Sequence, residues 1–553
     1  MTLVNAQPQL MAAATAEVAA VGSAIGEIRA LVAGPTTELA AAAADEVSVA
    51  AAELFGCYAR ESQAVLAWTA AFGERFAVAL GAAARTYLDA EAANAVAVSG
   101  LFSGLPAGGA SQAPGGPTAP LPAPAQPLVA LIMGGTGDPN PTSSYVNAVS
   151  TLFIRQNGAI PQVLFTPEQL YPLTGVRSLP FDTSVQQGVA ILHNAVIQQL
   201  GSGNHVTVFG YSQSAEIASL EMRQLAALGA GAPSPADLDF VLIGNPMNPN
   251  GGLLQRFVGL SLPSVGLTMY GATPDNLYPT TIYTREYDGL ADFPRYPLNI
   301  VADLNAFFGI GAVHFGYPHL TTEQVDSAVT LSTEGPTMTT YKMIPTPNLP
   351  LLDPLRVIPV FGKPVADLLQ PGLRVIVNLG YGDPTYGWST TAANVPTPFG
   401  LFPEVNPGVV LHALAVGAQQ GVHDFLVDLE TIVSNPSPSV PLWPDLLPAL
   451  LGPPPGPVAP TPANIVNTVA KIISTDYAVL LPTADIVTAA TLSLPVYDAS
   501  LFVSGIERGS LIHAIGDPIA ATTAMLTMAA LMEALTIVEA GYLNLMDIQS
   551  LLR

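Results

Sequence analysis

The chain has 553 residues, of which 50% are hydrophobic and only 10% are charged, and its 17 basic and 41 acidic side chains leave a formal net charge of −24. A chain this acidic is repelled by nucleic-acid phosphates and by anionic lipid surfaces, so both are poor partners. Its single cysteine, Cys57, excludes an intrachain disulfide framework and a cysteine-based zinc site. At about 150 residues per domain, we expect about two to four folding units.

The N-terminal sequence does not resemble a secretory signal peptide, because its first six residues include no basic side chain. An apolar run near the C-terminus, Pro518–Met532, lies between Asp517 and Glu533. It is shorter than the roughly 20 residues that a transmembrane helix needs. We therefore expect no transmembrane segment.

Residues 1–97 are rich in alanine and predict two long helices joined by a turn. The first helix is predicted from Gln9 to Ala33, because Gly34 suits a helix C-terminus and Pro35 cannot continue a helix. Two antiparallel helices cannot bury both apolar faces against each other, so the hairpin needs a partner in another chain, which we favour, or in the rest of this chain. The second helix carries an apolar stripe: Leu54, Tyr58, Val65, Phe72, Phe76, Leu80 and Tyr87.

Residues 98–127 are rich in proline and glycine, which predicts a flexible linker. From residue 128 to 355, short apolar runs alternate with helical stretches, which predicts a mostly parallel α/β sheet with helices on both faces. Residues 356–553 are first Pro-rich and then largely helical, and we expect them to pack on the α/β domain as a lid or cap. The predicted strands are Leu128–Met133, Gln162–Phe165, His205–Phe209, Asp239–Ile243 and Thr281–Tyr287, and the predicted helices are Ser143–Gln156, Asp182–Leu200 and Gln213–Leu228.

One predicted strand leads directly into a serine at a tight turn. The apolar run His205–Phe209 is followed by Gly210-Tyr-Ser212-Gln-Ser214 and then by a predicted helix. Strand, Gly-x-Ser-x-small turn and helix together are typical of a nucleophile elbow, which exposes the serine hydroxyl near a helix N-terminus. The last position is usually glycine, and the small Ser214 is a tolerable departure. An ordinary strand–turn–helix junction with a surface serine is the alternative interpretation.

A nucleophilic serine needs backbone N–H donors for the oxyanion that forms during acyl transfer. The residue after the nucleophile, Gln213, supplies the first donor. The Gly-rich segment Met133–Gly137 follows the first strand of the domain, and the N–H groups of Gly135 or Thr136 are the candidates for the second. A phosphate-binding loop is the competing interpretation, but no Gly-Lys-Ser/Thr sequence follows.

The acid and the base of such a triad are expected after the serine, in the order Asp then His. A strand that ends at Tyr287 is followed by Asp288 and Asp292, and we favour Asp288 with Asp292 as its rival. Among the histidines that follow, we favour His314 over His319. In this arrangement His314 takes the Ser212 proton and the aspartate orients the imidazole. The chemistry needs neither a metal nor a cofactor, and we expect none.

The first 95 residues resemble the N-terminal domain of mycobacterial PE proteins, with Ala-Gly-Pro-Thr-Thr at the turn and Ala-Asp-Glu-Val-Ser beyond it. The name-giving Pro-Glu is Pro8-Gln9 here. Tyr87 and Glu91 match the Tyr-x-x-x-Asp/Glu signal that follows the second helix in type VII secretion substrates. The resemblance implies export to the cell envelope or cell surface, pairing with a PPE-type helical partner, and recognition by a type VII secretion chaperone.

Residues from about 128 to 355 resemble the PE–PPE domain, a serine α/β hydrolase related to cutinases. The matching blocks are Gly134-Gly-Thr-Gly137, Gly210-Tyr-Ser-Gln-Ser214, Tyr287–Pro294 and His314-x-x-Tyr317. The resemblance implies an esterase that cleaves short- to medium-chain acyl esters. An acyltransferase for cell-envelope lipids or sugars would use the same triad, and a surface protein that has lost catalysis is a further alternative.

If the Tyr87 motif is an export signal, Tyr87→Ala blocks appearance of the protein in the culture filtrate and at the cell surface. Immunoblots of the filtrate, the surface fraction and the cell lysate measure this result. The lysate must contain as much variant as wild type, so that poor expression is excluded. Normal secretion of the variant would refute this interpretation of the motif.

Overall fold

The computed structural model describes residues 126–175, 177–358, 360–434 and 456–552, together with a few isolated positions among the first 97. The chain divides into two compact units, Met1–Leu121 and Pro122–Arg553, and the description below concerns the second. The predicted N-terminal hairpin as a whole, most of the linker, and Cys57, Tyr87 and Glu91 lie outside the described residues.

The second unit contains a seven-stranded sheet in the order β2-β1-β3-β4-β7-β9-β8. All neighbours run parallel except β8, which pairs antiparallel with β9 at the edge. The two remaining short strands, β5 and β6, form a separate antiparallel pair. The strand bounds are β1 Leu128–Ile132, β2 Ile160–Val163, β3 His205–Tyr211, β4 Leu238–Ile243, β5 Ser261–Leu262, β6 Leu267–Thr268, β7 Thr280–Arg285, β8 Val329–Thr330 and β9 Thr339–Ile344.

The helices of this unit cover both faces of the sheet and continue into a helical C-terminal region, so the predicted α/β hydrolase-like architecture is confirmed for it. Their bounds are α1 Ser143–Val149, α2 Phe181–Gly201, α3 Gln213–Ala226, α4 Leu253–Arg256, α5 Ile300–Ala312, α6 Thr322–Asp326, α7 Asp353–Arg356, α8 Gly362–Leu379, α9 Pro407–Ser434, α10 Pro462–Thr488, α11 Leu494–Glu507 and α12 Leu511–Leu552.

The period of two along each strand divides the core between the two faces of the sheet. In β1, Val129 and Leu131 pack with α2 and α3 on one face, while Ala130 and Ile132 pack with α1 and its neighbours on the other. Because both faces are buried, the central strands are continuous apolar runs rather than alternating ones. Such runs are visible in the sequence without knowledge of the partners of each strand.

Two elements differ from the prediction. The helix expected over Ser143–Gln156 is α-helical only to Val149, widens to a π turn over Ser150–Ile154, and ends at Arg155, which has a left-handed backbone. Strand β9 was not predicted, because its threonines and Lys342 interrupt the apolar pattern. It forms because β7 offers it a parallel pairing edge, a tertiary contact that the local sequence does not reveal.

The C-terminal region is bonded to the α/β domain through buried polar contacts. Arg256 of α4 donates to the Thr397 carbonyl at 2.7 Å, and Asn250 donates to the Thr391 carbonyl at 3.0 Å. Further along the chain, the Tyr171 hydroxyl donates to Asp485 of α10 at 2.6 Å. The role of this region as a lid or cap stays a prediction.

In the described part of the chain, Pro462–Glu507 and Leu511–Leu551 are helical segments long and apolar enough to cross a membrane. The expectation of no transmembrane segment is therefore only weakly supported. It rested on Asp517 and Glu533 as ends of the apolar run, but α12 continues through both. Each carboxylate has a partner in the helical region: Arg508 for Asp517 and Thr483 for Glu533.

Helix α5 contacts the turn after β7 backbone to backbone. A Cβ atom on Gly309 would lie 1.9 Å from the Tyr287 carbonyl oxygen, and one on Gly289 would lie 2.0 Å from the Ala306 carbonyl oxygen. Atoms cannot approach this closely, so any side chain at either position pushes the helix and the turn apart. The two glycines therefore set the position of the turn that carries Asp288.

We expect Gly309→Ala to destabilise the protein by about 1–3 kcal/mol, because the added methyl group overpacks a backbone contact. Gly311→Ala is the matched control, since it lies in the same helix and its Cβ would have no neighbour within 4 Å. That change should be neutral or stabilise by up to about 1 kcal/mol through helix propensity. Denaturant titration of both variants measures the difference, and equal stabilities would contradict the packing argument.

Candidate active site

Ser212 lies at the bend between β3 and α3 in a strained backbone conformation. Its φ of 56° and ψ of −117° fall in a region that residues other than glycine rarely adopt. The bend is held in place by the Ser212 N–H, which donates to the Ile243 carbonyl at 3.1 Å. A Cβ at Gly210 would lie 2.6 Å from the Ser214 carbonyl oxygen, which explains the glycine before the bend.

The departure at Ser214 has a structural explanation. Its hydroxyl donates to the Gly134 carbonyl at 2.6 Å and accepts from the Tyr211 N–H at 2.8 Å. These two hydrogen bonds join the serine turn to the Gly-rich segment after β1. A glycine at this position would provide neither bond.

The structure brings Ser212, His314 and Asp288 into one hydrogen-bonded row. The Ser212 Oγ lies 2.8 Å from His314 Nε2, and His314 Nδ1 lies 2.8 and 2.9 Å from the two carboxylate oxygens of Asp288. Asp288 and His314 are fully buried, and Ser212 is 7% exposed. A carboxylate at Nδ1 keeps the proton on that nitrogen, which leaves Nε2 free to accept the serine proton.

Asp288 is set up to carry a negative charge although it is buried. It accepts hydrogen bonds from the N–H groups of Leu290 at 3.0 Å and Ala291 at 3.2 Å, and from the Tyr317 hydroxyl at 2.8 Å. Burial by itself raises the pKa of Asp288, but the adjacent His314 and these donors outweigh it, so the pKa lies below its ordinary value. At neutral pH this carboxyl group is therefore ionised.

Asp292, the rival acid, has the opposite environment. Its Oδ2 accepts from the Tyr287 N–H at 3.1 Å, which braces the turn, and its Oδ1 has no hydrogen-bond partner. Burial raises the pKa of Asp292 well above its ordinary value, so the surroundings of this group favour its neutral form. The rival base, His319, lies exposed at the far end of the short helix that begins at His314.

Tyr317 and Gly244 support the imidazole, and the sequence analysis assigned a role to neither. The Tyr317 hydroxyl accepts from the Arg285 N–H at 2.8 Å while it donates to Asp288. Gly244 follows β4 with a φ of +55°, and a Cβ there would lie 3.0 Å from His314 Cε1. The sequence signal that could have identified Gly244 is a glycine directly after a central strand, because the ends of adjacent parallel strands meet at one edge of the sheet.

The segment Met133–Gly137 passes directly beside the serine. A Cβ at Gly135 would lie 3.4 Å from the Ser212 Cβ. The Thr136 hydroxyl donates to the Gln213 side-chain oxygen at 3.0 Å, while the side-chain nitrogen of Gln213, Nε2, donates to the Ser184 hydroxyl at 2.7 Å. The Gln213 side chain thus joins the Gly-rich segment to α2. The backbone N–H of Gln213 is the first of α3, and the first N–H groups of a helix have no intrahelical acceptor.

Glu168 supports the same segment from the loop after β2. Its carbonyl accepts from the Gly137 N–H at 2.7 Å, and its φ of 49° is unusual for a non-glycine residue. The Thr166 hydroxyl donates to its carboxyl group at 2.6 Å. Burial raises the pKa of Glu168 to about 8, so the group is largely uncharged at neutral pH. Glu168 therefore adds little negative charge beside the segment that contains Gly135.

Among the described residues, no group of three or more His, Cys, Asp and Glu side chains is placed to hold a metal ion. The row of Ser212, His314 and Asp288 nevertheless has what covalent acyl transfer requires. It contains a hydroxyl, a base within hydrogen-bond reach, and a charged group that orients the base. The arrangement can do this chemistry with its own side chains.

Comparison with known proteins identifies the family. A model described as "PE family" matches residues 4–94, and one described as "PE-PPE domain" matches residues 157–382. PE family protein PE3 of Mycobacterium tuberculosis is 46% identical over 82% of this chain and 94% of its own length. The chain belongs to the PE family. Its second unit carries the PE–PPE domain.

Two further proteins from Mycobacterium tuberculosis are similar to this chain over most of its length. Esterase PE16 is 47% identical over 79% of each chain, and the uncharacterized PPE family protein PPE28 is 49% identical over 76% of this chain and 67% of its own. Among solved structures, a cutinase-like protein from Cryptococcus sp. matches with 21% identity and a TM-score of 0.23, over 35% of this chain and 88% of that one.

The two aspartates can be separated by isosteric amides. We expect Asp288→Asn to lower kcat for ester hydrolysis by about 10⁴-fold, because an amide no longer selects the productive imidazole tautomer. Asp292→Asn should keep most of the activity, since the amide oxygen can still accept from the Tyr287 N–H and His314 keeps its contact with Asp288. Steady-state kinetics of both variants on a soluble ester measure the two losses of activity. A larger loss in Asp292→Asn than in Asp288→Asn would make Asp292 the acid.

Proposed function

We propose that the protein is an exported serine carboxylester hydrolase that cleaves short- to medium-chain acyl esters through an acyl-enzyme on Ser212. The observation that carries the proposal is the buried row in which Ser212 Oγ, His314 and Asp288 are joined at 2.8 Å contacts. The name of the relative Esterase PE16, 47% identical to this chain, supports the same reaction class.

In the proposed mechanism, His314 Nε2 accepts the Ser212 proton as the serine oxygen attacks the ester carbonyl carbon. Asp288 stabilises the imidazolium that forms. The N–H groups of Gln213 and of Gly135 or Thr136 stabilise the negative oxygen of the tetrahedral intermediate, and one such donor contributes about 3–4 kcal/mol. The imidazolium then protonates the leaving alcohol, and a water molecule, activated by the same base, releases the acid from Ser212.

An exposed apolar side chain next to the base supports an ester with a hydrocarbon chain as substrate. Phe315 follows His314 in the chain, its ring centroid lies 5.7 Å from that of His314, and it is 45% exposed. It gives a hydrocarbon chain an apolar surface beside the base. Export and a PPE-type partner are proposed from the PE-family match over residues 4–94.

Replacement of the nucleophile tests the proposal. Ser212→Ala should abolish turnover of p-nitrophenyl esters and labelling by a fluorophosphonate probe, while thermal melting stays close to that of the wild type. Ser264→Ala is the control, since that serine lies in the same domain and its hydroxyl bonds to Asp485 of α10. Retained turnover in the Ser212 variant would move the nucleophile elsewhere. A probe that never labels the wild type would favour a non-catalytic protein.

Product analysis on the wild-type protein, with esters of different acyl-chain length, tests whether water or an alcohol accepts the acyl group. Product analysis is run with water alone and with a candidate acceptor alcohol such as a sugar. Free acid as the dominant product in both cases supports hydrolysis. An acylated acceptor as the dominant product would establish the transferase alternative, which uses the same acyl-enzyme.

A further inference from the structure

The helices α10, α11 and α12 form what we call the C-terminal hairpin, in which α12 returns along α10 and α11 after a turn at Arg508–Ser510. The large apolar side chains of this hairpin face solvent, in contrast to an ordinary soluble helix pair. Tyr477 is 75% exposed and Ile512 is 77% exposed. Other exposed members are Val466, Val469, Ile473, Leu480, Leu481, Val496, Leu511, Ile515, Ile537, Val538 and Leu545.

Polar groups of the C-terminal hairpin pair with each other across its helices. Asn544 of α12 donates to Asp476 of α10 at 2.6 Å. The Thr483 hydroxyl donates to Glu533 at 2.7 Å. Polar side chains of helices in lipid pair in the same way, because hydrocarbon offers them no hydrogen bonds.

Small residues line the contact between the helices. A Cβ on Gly505 would lie 2.3 Å from the Ala514 Cα, so the backbones touch where α11 meets α12. Ala520, Ala521 and Ala524 of α12 are fully buried in the apolar cluster that includes Leu494 and Tyr497 of α11 and also the core of the α/β domain. Helix pairs in membranes pack through small residues in this way and leave the large aliphatic side chains for the lipid.

The charges of the C-terminal hairpin decide what kind of surface it fits. Its basic residues between 456 and 552 are Lys471 and Arg508. Lys471 pairs with Asp547 at 3.6 Å, and Arg508 pairs with Asp517 at 3.0 Å. Among the described residues of the hairpin, the lysine and the arginine each have an acidic partner, so electrostatic attraction to anionic headgroups is not what holds it there. An uncharged hydrocarbon phase matches the exposed face.

We propose that the C-terminal hairpin inserts its exposed apolar face into an uncharged lipid layer and so anchors the α/β domain at that layer. The length is sufficient, because the part of α10 that precedes Asp485 spans more than 20 residues, or roughly 30 Å at about 1.5 Å per residue. This matches the hydrocarbon thickness of a typical bilayer, about 30 Å.

The C-terminal hairpin is connected to the candidate active site, and this consequence rests on the proposed function. Asp485 accepts from Tyr171 at 2.6 Å and its carbonyl accepts from Ser264 at 3.0 Å. Two residues before Tyr171, the Gln169 carbonyl accepts from the Gln213 side chain at 3.2 Å. The loop that borders the serine is thus bonded to the anchor, and an ester dissolved in the lipid layer is held close to the loop.

Flotation of the purified full-length protein with phosphatidylcholine vesicles tests the proposal. We expect the wild type to float with the vesicles to the same extent at low and at high salt. A triple variant, Ile473→Glu with Tyr477→Glu and Leu480→Glu, should lose at least about tenfold in bound protein, because three large apolar side chains are replaced by charges that hydrocarbon does not solvate. The three positions are exposed, so circular dichroism should match that of the wild type.

A matched control introduces the same charges elsewhere. Val409, Leu411 and Val422 of α9 are exposed by 52%, 68% and 52%. Their triple glutamate variant changes the net charge equally but leaves the C-terminal hairpin intact, and it should float like the wild type. Equal loss in both variants would contradict a contact located on the hairpin.

Other results would overturn the proposal. These are a wild type that stays at the bottom of the gradient, a hairpin variant that floats normally, or a wild type that sediments as a dimer and stays off vesicles while the hairpin variant is a monomer. The last result would mean that a second copy covers the apolar face.

Activity separates this proposal from the proposed function. The hairpin variant should hydrolyse a soluble p-nitrophenyl ester at the wild-type rate but should lose turnover of an ester embedded in the vesicles. Equal turnover of the embedded ester by both proteins would contradict the anchoring role. The Ser212→Ala protein should float normally. A wild-type protein that floats but hydrolyses no ester would refute the proposed enzymatic function without contradicting the proposed anchoring.

Discussion

The interaction on which the rest of the site depends is the buried contact between His314 and an ionised Asp288. A carboxylate inside a protein loses its hydration, and that loss alone would neutralise it. Here two backbone N–H groups, the Tyr317 hydroxyl and the imidazole replace the lost water molecules. The charge then keeps the imidazole oriented toward Ser212. The turn after β7, helix α5 and the sheet edge all contribute to the site by holding the residues of this contact in place.

Two aspartates four residues apart show how the environment decides the chemistry of a side chain. Asp288 lies among donors and keeps a pKa below its ordinary value, while burial with one donor raises the pKa of Asp292 well above it. One is suited to stabilise a cation, and the other is suited to hold a turn without adding charge. The helix that packs against the turn through Gly309 and Gly289 fixes the position of the turn that carries both aspartates.

The C-terminal hairpin presents the opposite situation at its surface. Polar groups pair across its helices, at Asp476–Asn544 and Thr483–Glu533, and many of its large apolar side chains are exposed. Such a surface has a high free energy in water. In the proposed arrangement, the lipid layer that covers the hairpin also contains the ester that the proposed hydrolase cleaves.

The sequence by itself determined the PE-type N-terminal match, the alternation of strands and helices, and the Gly-x-Ser-x-Ser turn, because these features depend on neighbours in the chain. It favoured Asp288 over Asp292 as the acid and His314 over His319 as the base, but the local pattern could not show which of these side chains meet. Strand β9, the roles of Tyr317 and Gly244, and the contact of Asp288 with His314 were decided only by the tertiary structure. They depend on groups far apart in the chain, and only packing brings such groups together.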